Sequence, residues 1–387
     1  MGNITDDIRV DFRDFTERPF NEVDSLALSQ LAYARMTDAV PRHPSSAMVP
    51  LHALLHAEAY EALFGAIWSP AMNVDLIRAM AESPRWRGIR VGGYVDETDA
   101  DAAMQFSACT FDLGDGRLYI AFRGTDGSIM GWKEDFMMAF RRPIASQEAA
   151  ARYLRDVAAR WRGTMLIGGH SKGGNLAVYA AAEAPADLQG RIEAVYSHDG
   201  PGFDASFLEG DGFARVAGRV HKTVPESSIV GMLFERGSLG HAGSDHGDSD
   251  HAGSDHGDSG GRLTVVNSTG MSIMQHFGLN WQVRDGEFVR AEGLNASARY
   301  ASGVINDWMG KYDDERRRLF IENLFTILES GGYRTFGELS SHWTQALPAM
   351  VLAARNVAPD EREAMVAIIG GLISSAVRPG TVERAEE

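Results

Sequence analysis

The stretch Met165-Leu166-Ile167-Gly168-Gly169-His170-Ser171-Lys172-Gly173-Gly174-Asn175-Leu176-Ala177 narrows the possible folds more than any other part of the chain. Residues 165–168 read as a short buried strand, and Asn175 to Ala184 as an alanine-rich helix. A strand that turns this abruptly into a helix leaves the Ser171 hydroxyl exposed on a strained backbone. Glycines at 169 and 173 clear the space that a Cβ would fill on either side. The helix aims its N-terminal N–H groups at the same place, so the Lys172 amide is a candidate oxyanion donor. An ordinary strand-to-helix turn is the bland alternative, and the strand before and helix after weigh against it.

From Ile89 onward, short apolar or alternating runs are separated by helix patterns. Val91 to Val95, Gln105 to Asp112, Leu118 to Phe122, Ile192 to Tyr196, Val220 to Val224 and Leu263 to Val266 read as further strands. Asp115-Gly116 is a hairpin turn signal between two of them, and Gln147 to Trp161 reads as a helix. Strands and helices alternating at this length predict a mainly parallel central sheet with helices on both faces. With a serine elbow inside it, the expected fold is that of the α/β-hydrolases.

Helical spacing also covers residues 20–82, including a segment from Leu51 to Phe64. It returns after about 297, in Glu315 to Leu328, Trp343 to Arg355 and Glu361 to Ser375. The expected division is therefore an N-terminal helical segment at 1–88 packed on the core, an α/β core at 89–297, and a C-terminal helical segment at 298–387. Residues 241–260 interrupt the core with a ten-residue unit, starting His241-Ala242-Gly243-Ser244-Asp245, repeated almost unchanged. Its only apolar side chain is alanine, so it reads as a disordered surface insertion. Its four histidines and five aspartates raise a metal-binding alternative, but a flexible tract supplies no fixed geometry.

Composition bounds the function. A hydrophobic fraction of 44% over 387 residues is ample for a sizeable core. The formal charge of −16 argues against a nucleic-acid partner, which would want a basic surface. A single cysteine, Cys109, rules out an intramolecular disulfide and sits in an apolar-rich run as a structural thiol. No run of about 18 uncharged apolar residues is present to span a membrane. The first residues lack the basic and apolar regions of a secretory signal, so the expected compartment is the cytoplasm.

A serine is a weak nucleophile without a base, so an acid and a histidine should follow Ser171. Outside the insertion the histidine candidates are His198, His221, His276 and His342. His276 follows the last expected strand by a short loop, which is where this fold places its base. His221 lies in a strand pattern, His342 lies among the C-terminal helices, and His198 directly precedes an acid candidate. For the acid, Asp199 ends the strand after the elbow helix, and the Gly200-Pro201-Gly202 turn behind it suits a preorganised carboxylate. Glu226, at the end of the next strand, is the alternative acid. Phe122-Arg123-Gly124-Thr125 ends a strand, making the Thr125 N–H, with its hydroxyl as a further candidate, the second oxyanion donor, and Arg123 a structural ion pair below.

Phe122-Arg123-Gly124-Thr125 followed by Gly169-His170-Ser171-Lys172-Gly173 resembles the class 3 lipases. Phe20-Asn21-Glu22-Val23-Asp24, Gly131-Trp132-Lys133-Glu134-Asp135-Phe136, Asp199-Gly200-Pro201-Gly202-Phe203, Ser228 to Leu233 and Gln275-His276 complete the pattern. Together they resemble a bacterial α/β-hydrolase-like family called Mbeg-like, from about residue 9 to 300. The Asp199 turn is similar to the one carrying the acid in pancreatic-type lipases. In class 3 lipases the acid comes one strand later, at the position of Glu226. The implied function is cofactor-free hydrolysis of a small or medium acyl ester, thioester or lipid through an acyl-enzyme. Two rivals stand beside it. One is a non-catalytic binding or scaffold module, suggested by the lysine and doubled glycine after Ser171, and the other is acyl transfer to an alcohol.

Overall fold

Eight strands form one sheet, and their order in space is their order in the sequence. The computed structural model describes residues 2–234 and 262–357, apart from residues 37, 66, 100, 139, 271, 336–337 and 340–341. The expected insertion at 241–260 and the helix expected at Glu361 to Ser375 lie outside the described residues. Strands β1 (Met48–Pro50), β2 (Arg90–Asp99), β3 (Met104–Asp112) and β4 (Arg117–Phe122) are antiparallel neighbours. From β4 the sheet continues in parallel through β5 (Thr164–His170), β6 (Ile192–His198), β7 (Val220–Pro225) and β8 (Arg262–Val266). Every strand expected from the sequence is present, and β1 joins them at the edge. Gly116, at φ 88°, supplies the left-handed backbone that the β3–β4 hairpin requires.

The helices that frame the sheet are α1 (Ile4–Val10), α2 (Glu22–Leu31), α3 (Tyr60–Phe64), α4 (Pro70–Glu82), α5 (Ile129–Met137), α6 (Ala145–Arg160) and α7 (Lys172–Ala182). Each parallel connection steps to the next strand in the same direction, and right-handed crossovers of that kind set their helices on one face. Alternation along β4 shows the division. Leu118, Ile120 and Phe122 join Leu154 of α6 and Leu176 of α7 in one apolar cluster. Tyr119 and Ala121 face the other way, into a cluster with Leu26 and Leu28 of α2 and Ile77 and Met80 of α4. The N-terminal segment thus covers the face that the crossovers leave bare.

The Phe20-Asn21-Glu22-Val23-Asp24 run starts α2. Asn21 Oδ1 accepts from the Val23 and Asp24 amides, and Asp24 accepts from the Asn21 amide. Asp24 is fully buried and takes ion pairs from Arg85 at 2.6 Å and Arg18 at 3.0 Å, which tie α2 to the turn after α4 and to the loop before α2. The continuous helix expected from Leu51 to Phe64 is not formed. Two short 3-10 turns at 51–54 and 57–59 lead into α3, because the chain must reverse after edge strand β1 while still burying Leu51, Leu54, Leu63 and Phe64. At the other end, helices Asp314–Glu329 and Trp343–Ala353 pack Phe320, Leu324, Phe325 and Met350 in one cluster with Ile129 and Phe136 of α5.

Register brings the functional loops together. Phe122 pairs with Gly169, His170 with His198, and His198 with Thr223, so the carboxyl ends of β4 to β7 lie level. The loops that leave those ends carry Thr125, Ser171, Asp199 and Ser228, and His276 follows β8.

Candidate active site

Ser171 stands between β5 and α7 with φ 58° and ψ −133°, a conformation that a non-glycine residue holds only under constraint. Its amide donates to the His198 carbonyl at 2.8 Å, and α7 pulls the chain the other way. Two glycines let the backbones approach. A Cβ on Gly173 would collide with the Phe122 carbonyl, and one on Gly124 would run into the Tyr33 hydroxyl and lie 2.6 Å from the His170 carbonyl. The strain and close packing present the hydroxyl of Ser171, a residue only 5% exposed, to a cavity.

His276 meets Ser171 there. Its Nε2 lies 3.0 Å from Ser171 Oγ, and its Nδ1 lies 2.6 Å from Asp199 Oδ2. A carboxylate only accepts, so Nδ1 carries the hydrogen and Nε2 is left as the acceptor for the serine proton. Asp199 is fully buried and held at φ 50°, with its amide donating to the Thr223 carbonyl at 2.7 Å. Its second oxygen, Oδ1, accepts from the Ser228 hydroxyl and, at 3.1 Å, from the Gly231 amide. The Ser228 to Leu233 run therefore holds the Asp199 carboxylate in place.

Glu226 does not reach this chain of hydrogen bonds. Its carboxylate accepts from Gln275 Nε2 at 3.4 Å. The other histidines are engaged elsewhere. His198 Nε2 bonds Ser25 Oγ at 2.9 Å, His221 Nδ1 lies 3.4 Å from Glu22, and His342 Nδ1 bonds the Glu338 carbonyl. Burial drives His198 well below the usual histidine range.

The N–H groups of Thr125 and Lys172 have no acceptor among the described residues. The Thr125 hydroxyl donates to Asp135 Oδ2 at 2.6 Å, so it ties the loop down rather than pointing freely at a substrate. The Lys172 side chain points away from the site. Its fully buried ammonium donates to Glu134 Oε2 at 2.7 Å and to the Gln105 carbonyl at 2.9 Å, with Asp135 Oδ1 at 3.8 Å. The lysine after the serine is thus an anchor joining α7 to α5 and β3. Burial pushes the Asp135 carboxyl up to about 7, against the opposing pull of Lys172 and Thr125. Arg123 pairs with Asp96 at 3.0 Å, and Cys109 is buried with its thiol pushed up by desolvation.

Sequence reasoning gave no role to four residues here. Glu134 and Asp135 lay inside a recognised run, Gly131 to Phe136, without an assigned function. His170 was visible as the residue before the serine. It is buried, its Nε2 lies 2.6 Å from the His276 carbonyl, and its Nδ1 lies 3.0 Å from the Tyr33 hydroxyl. A carbonyl only accepts, so Nε2–H donates to it and the Tyr33 hydroxyl donates to Nδ1. Burial first and His276 second lower His170 to about 3, so it stays neutral in that role. Tyr33, just past α2, carried no signal beyond helical spacing.

The cavity holds about 270 Å³ and is walled by Tyr33, Trp68, Met72, Trp132, Phe277 and Leu279 around Ser171 and His276. Among the described residues no three His, Cys, Asp or Glu side chains are grouped to hold a metal ion. No helix among the described residues is long and apolar enough to cross a membrane.

A mainly parallel sheet with a serine elbow at the end of its central strand defines an α/β-hydrolase fold. The Mbeg1-like family model matches residues 80–241 and 257–326, and the chain belongs to that family. The match begins later than the resemblance at residue 9 and leaves out 242–256, inside the repeat. No curated protein matches the sequence. A solved structure described as the crystal structure of M37 lipase is 15% identical and covers 55% of this chain and 69% of its own, with a TM-score of 0.33.

Proposed function

We propose that the protein is a serine hydrolase that cleaves a carboxylic ester or thioester through an acyl-enzyme. Ser171 attacks the acyl carbonyl, and His276 Nε2 takes the hydroxyl proton and returns it to the leaving group. Asp199 keeps the imidazole in the Nδ1–H tautomer and stabilises its cation. The amides of Thr125 and Lys172 receive the oxyanion, aided by the N-terminal end of α7. Water then repeats the sequence on the acyl-enzyme. No cofactor takes part in these steps.

The observation that carries this reading is the unbroken run of hydrogen bonds from Asp199 to His276 to Ser171, at 2.6 and 3.0 Å. The same geometry favours Asp199 over Glu226 as the acid. It also weighs against a purely binding role, since a scaffold has no use for a strained serine aligned with a base. A fluorophosphonate probe is expected to label the wild type and to leave Ser171→Ala unlabelled. Equal labelling of both would overturn the reading. Product analysis with added alcohol separates hydrolysis from acyl transfer.

A further inference from the structure

The wall of the same cavity contains a polar group that the reaction does not use. Gln30, in the last turn of α2, lines the cavity and is only 6% exposed. Its Nε2 is buried and has no hydrogen-bond partner. Two other amides in the wall are tied down: Asn73 donates to the Trp68 and Ser69 carbonyls at 2.9 and 3.1 Å, and Asn280 to the Met274 carbonyl at 2.9 Å. Gly278, two residues past His276, packs so closely that a Cβ there would lie 2.8 Å from Gln30 Nε2. The unpaired amide therefore sits against the loop that carries the base.

Buried amides without partners are rare, and an unpaired one beside a ligand cavity points to a partner that arrives with the ligand. In the free protein the Gln30 Nε2 is closed to solvent and unpaired. A wholly apolar substrate leaves the amide unpaired, whereas a substrate hydroxyl in the cavity offers the missing partner. A hydroxyl both donates and accepts, so it pairs with either end of the amide. The cavity, at about 270 Å³, lies just below the range of roughly 300–1,000 Å³ that drug-sized ligands fill. Trp68 and Phe277, with ring centroids 5.0 Å apart, supply its apolar side.

Building on the serine-hydrolase reading, we propose that the substrate is a small hydroxyl-bearing ester whose hydroxyl pairs with the side-chain amide of Gln30. Gln30 is then a specificity-determining residue, and long unsubstituted fatty esters are poor substrates.

The test measures kcat/KM for two matched pairs, p-nitrophenyl 3-hydroxybutyrate against p-nitrophenyl butyrate, and glycerol monobutyrate against propyl butyrate. The first pair places the hydroxyl on the acyl side and the second on the alcohol side. Wild type is expected to prefer the hydroxylated member of at least one pair by roughly tenfold, and Gln30→Leu to reduce that preference to within about twofold. Leucine matches the size of the side chain and removes the unpaired amide, so the variant is expected to melt no lower than wild type. Gln30→Met gives the same reading with a more flexible chain. No preference in wild type, or a preference that survives both substitutions, would overturn the proposal. Hydrolysis of p-nitrophenyl acetate that persists in Ser171→Ala would instead overturn the serine-hydrolase reading, so the two failures are distinct.

Discussion

Replacing Asp199 with asparagine tests the tautomer argument with almost no change in shape. Two donors, the Ser228 hydroxyl and the Gly231 amide, converge on Oδ1. In Asp199→Asn they hold the amide oxygen at that position, which turns the amide NH₂ toward His276 Nδ1, 2.6 Å from Oδ2 in the wild type. Nδ1 must then accept, the ring hydrogen moves to Nε2, and Nε2 can no longer take the proton of Ser171. A wrong tautomer of this kind lowers turnover by ~10³–10⁴-fold, about 4–5.5 kcal/mol of transition-state stabilisation. The assay is steady-state hydrolysis of a p-nitrophenyl ester, with the fluorophosphonate labelling rate as a second readout. The loss should appear in kcat, because the substitution leaves the cavity wall intact. Glu226→Gln should stay within a few-fold of wild type. Turnover retained within tenfold in Asp199→Asn and lost in Glu226→Gln would refute the reasoning.

Three further outcomes are expected. Lys172→Met leaves Glu134 buried without its partner and should destabilise the fold by about 3–5 kcal/mol in urea unfolding, with partial recovery in the double variant Lys172→Met/Glu134→Gln. Asp135 ionises near 3.8 in an unfolded chain and near 7 in the folded protein, so the native state holds the extra proton between those values. Stability should therefore fall as pH rises through that window, and Asp135→Asn should flatten the slope measured between about pH 4 and about pH 8. Tyr33→Phe removes the donor that orients His170 and should lower kcat by roughly three- to tenfold while shifting the thermal midpoint little, as read by ester turnover beside a melting curve.

Much of the chain was legible as sequence because its signals are local. The strands from β2 to β8 announced themselves by apolar runs and turns, and the elbow by glycines at fixed offsets from Ser171. His276 followed from its place after the last strand. The β1 edge strand escaped because three residues carry no period. The segment from Leu51 to Phe64 was misjudged because buried leucines recur at helical intervals even where the backbone breaks into short turns. The C-terminal pattern was right in kind, with Asp314–Glu329 formed almost as expected.

The carboxylate beside His276 is where local reasoning ended. Asp199 and Glu226 each close a strand of the same sheet and each is followed by turn residues. The difference lies in which carboxylate the loop after β8 swings its histidine toward. The same limit applies to Lys172, whose charge beside the serine looked like an oddity of the site. Its ammonium leaves the site for Glu134, a partner 38 positions away. Tyr33, Asp135 and Gln30 were silent for this reason too: nothing in their neighbours tells where their hydroxyl, carboxyl and amide go. The sequence by itself determined the elbow at Ser171 and the strands that flank it, since these follow from backbone sterics and side-chain period. Only the tertiary structure decided which carboxylate meets His276, the anchor behind the elbow and the unpaired amide in the cavity, because hydrogen-bond partners are set by the packing of distant segments.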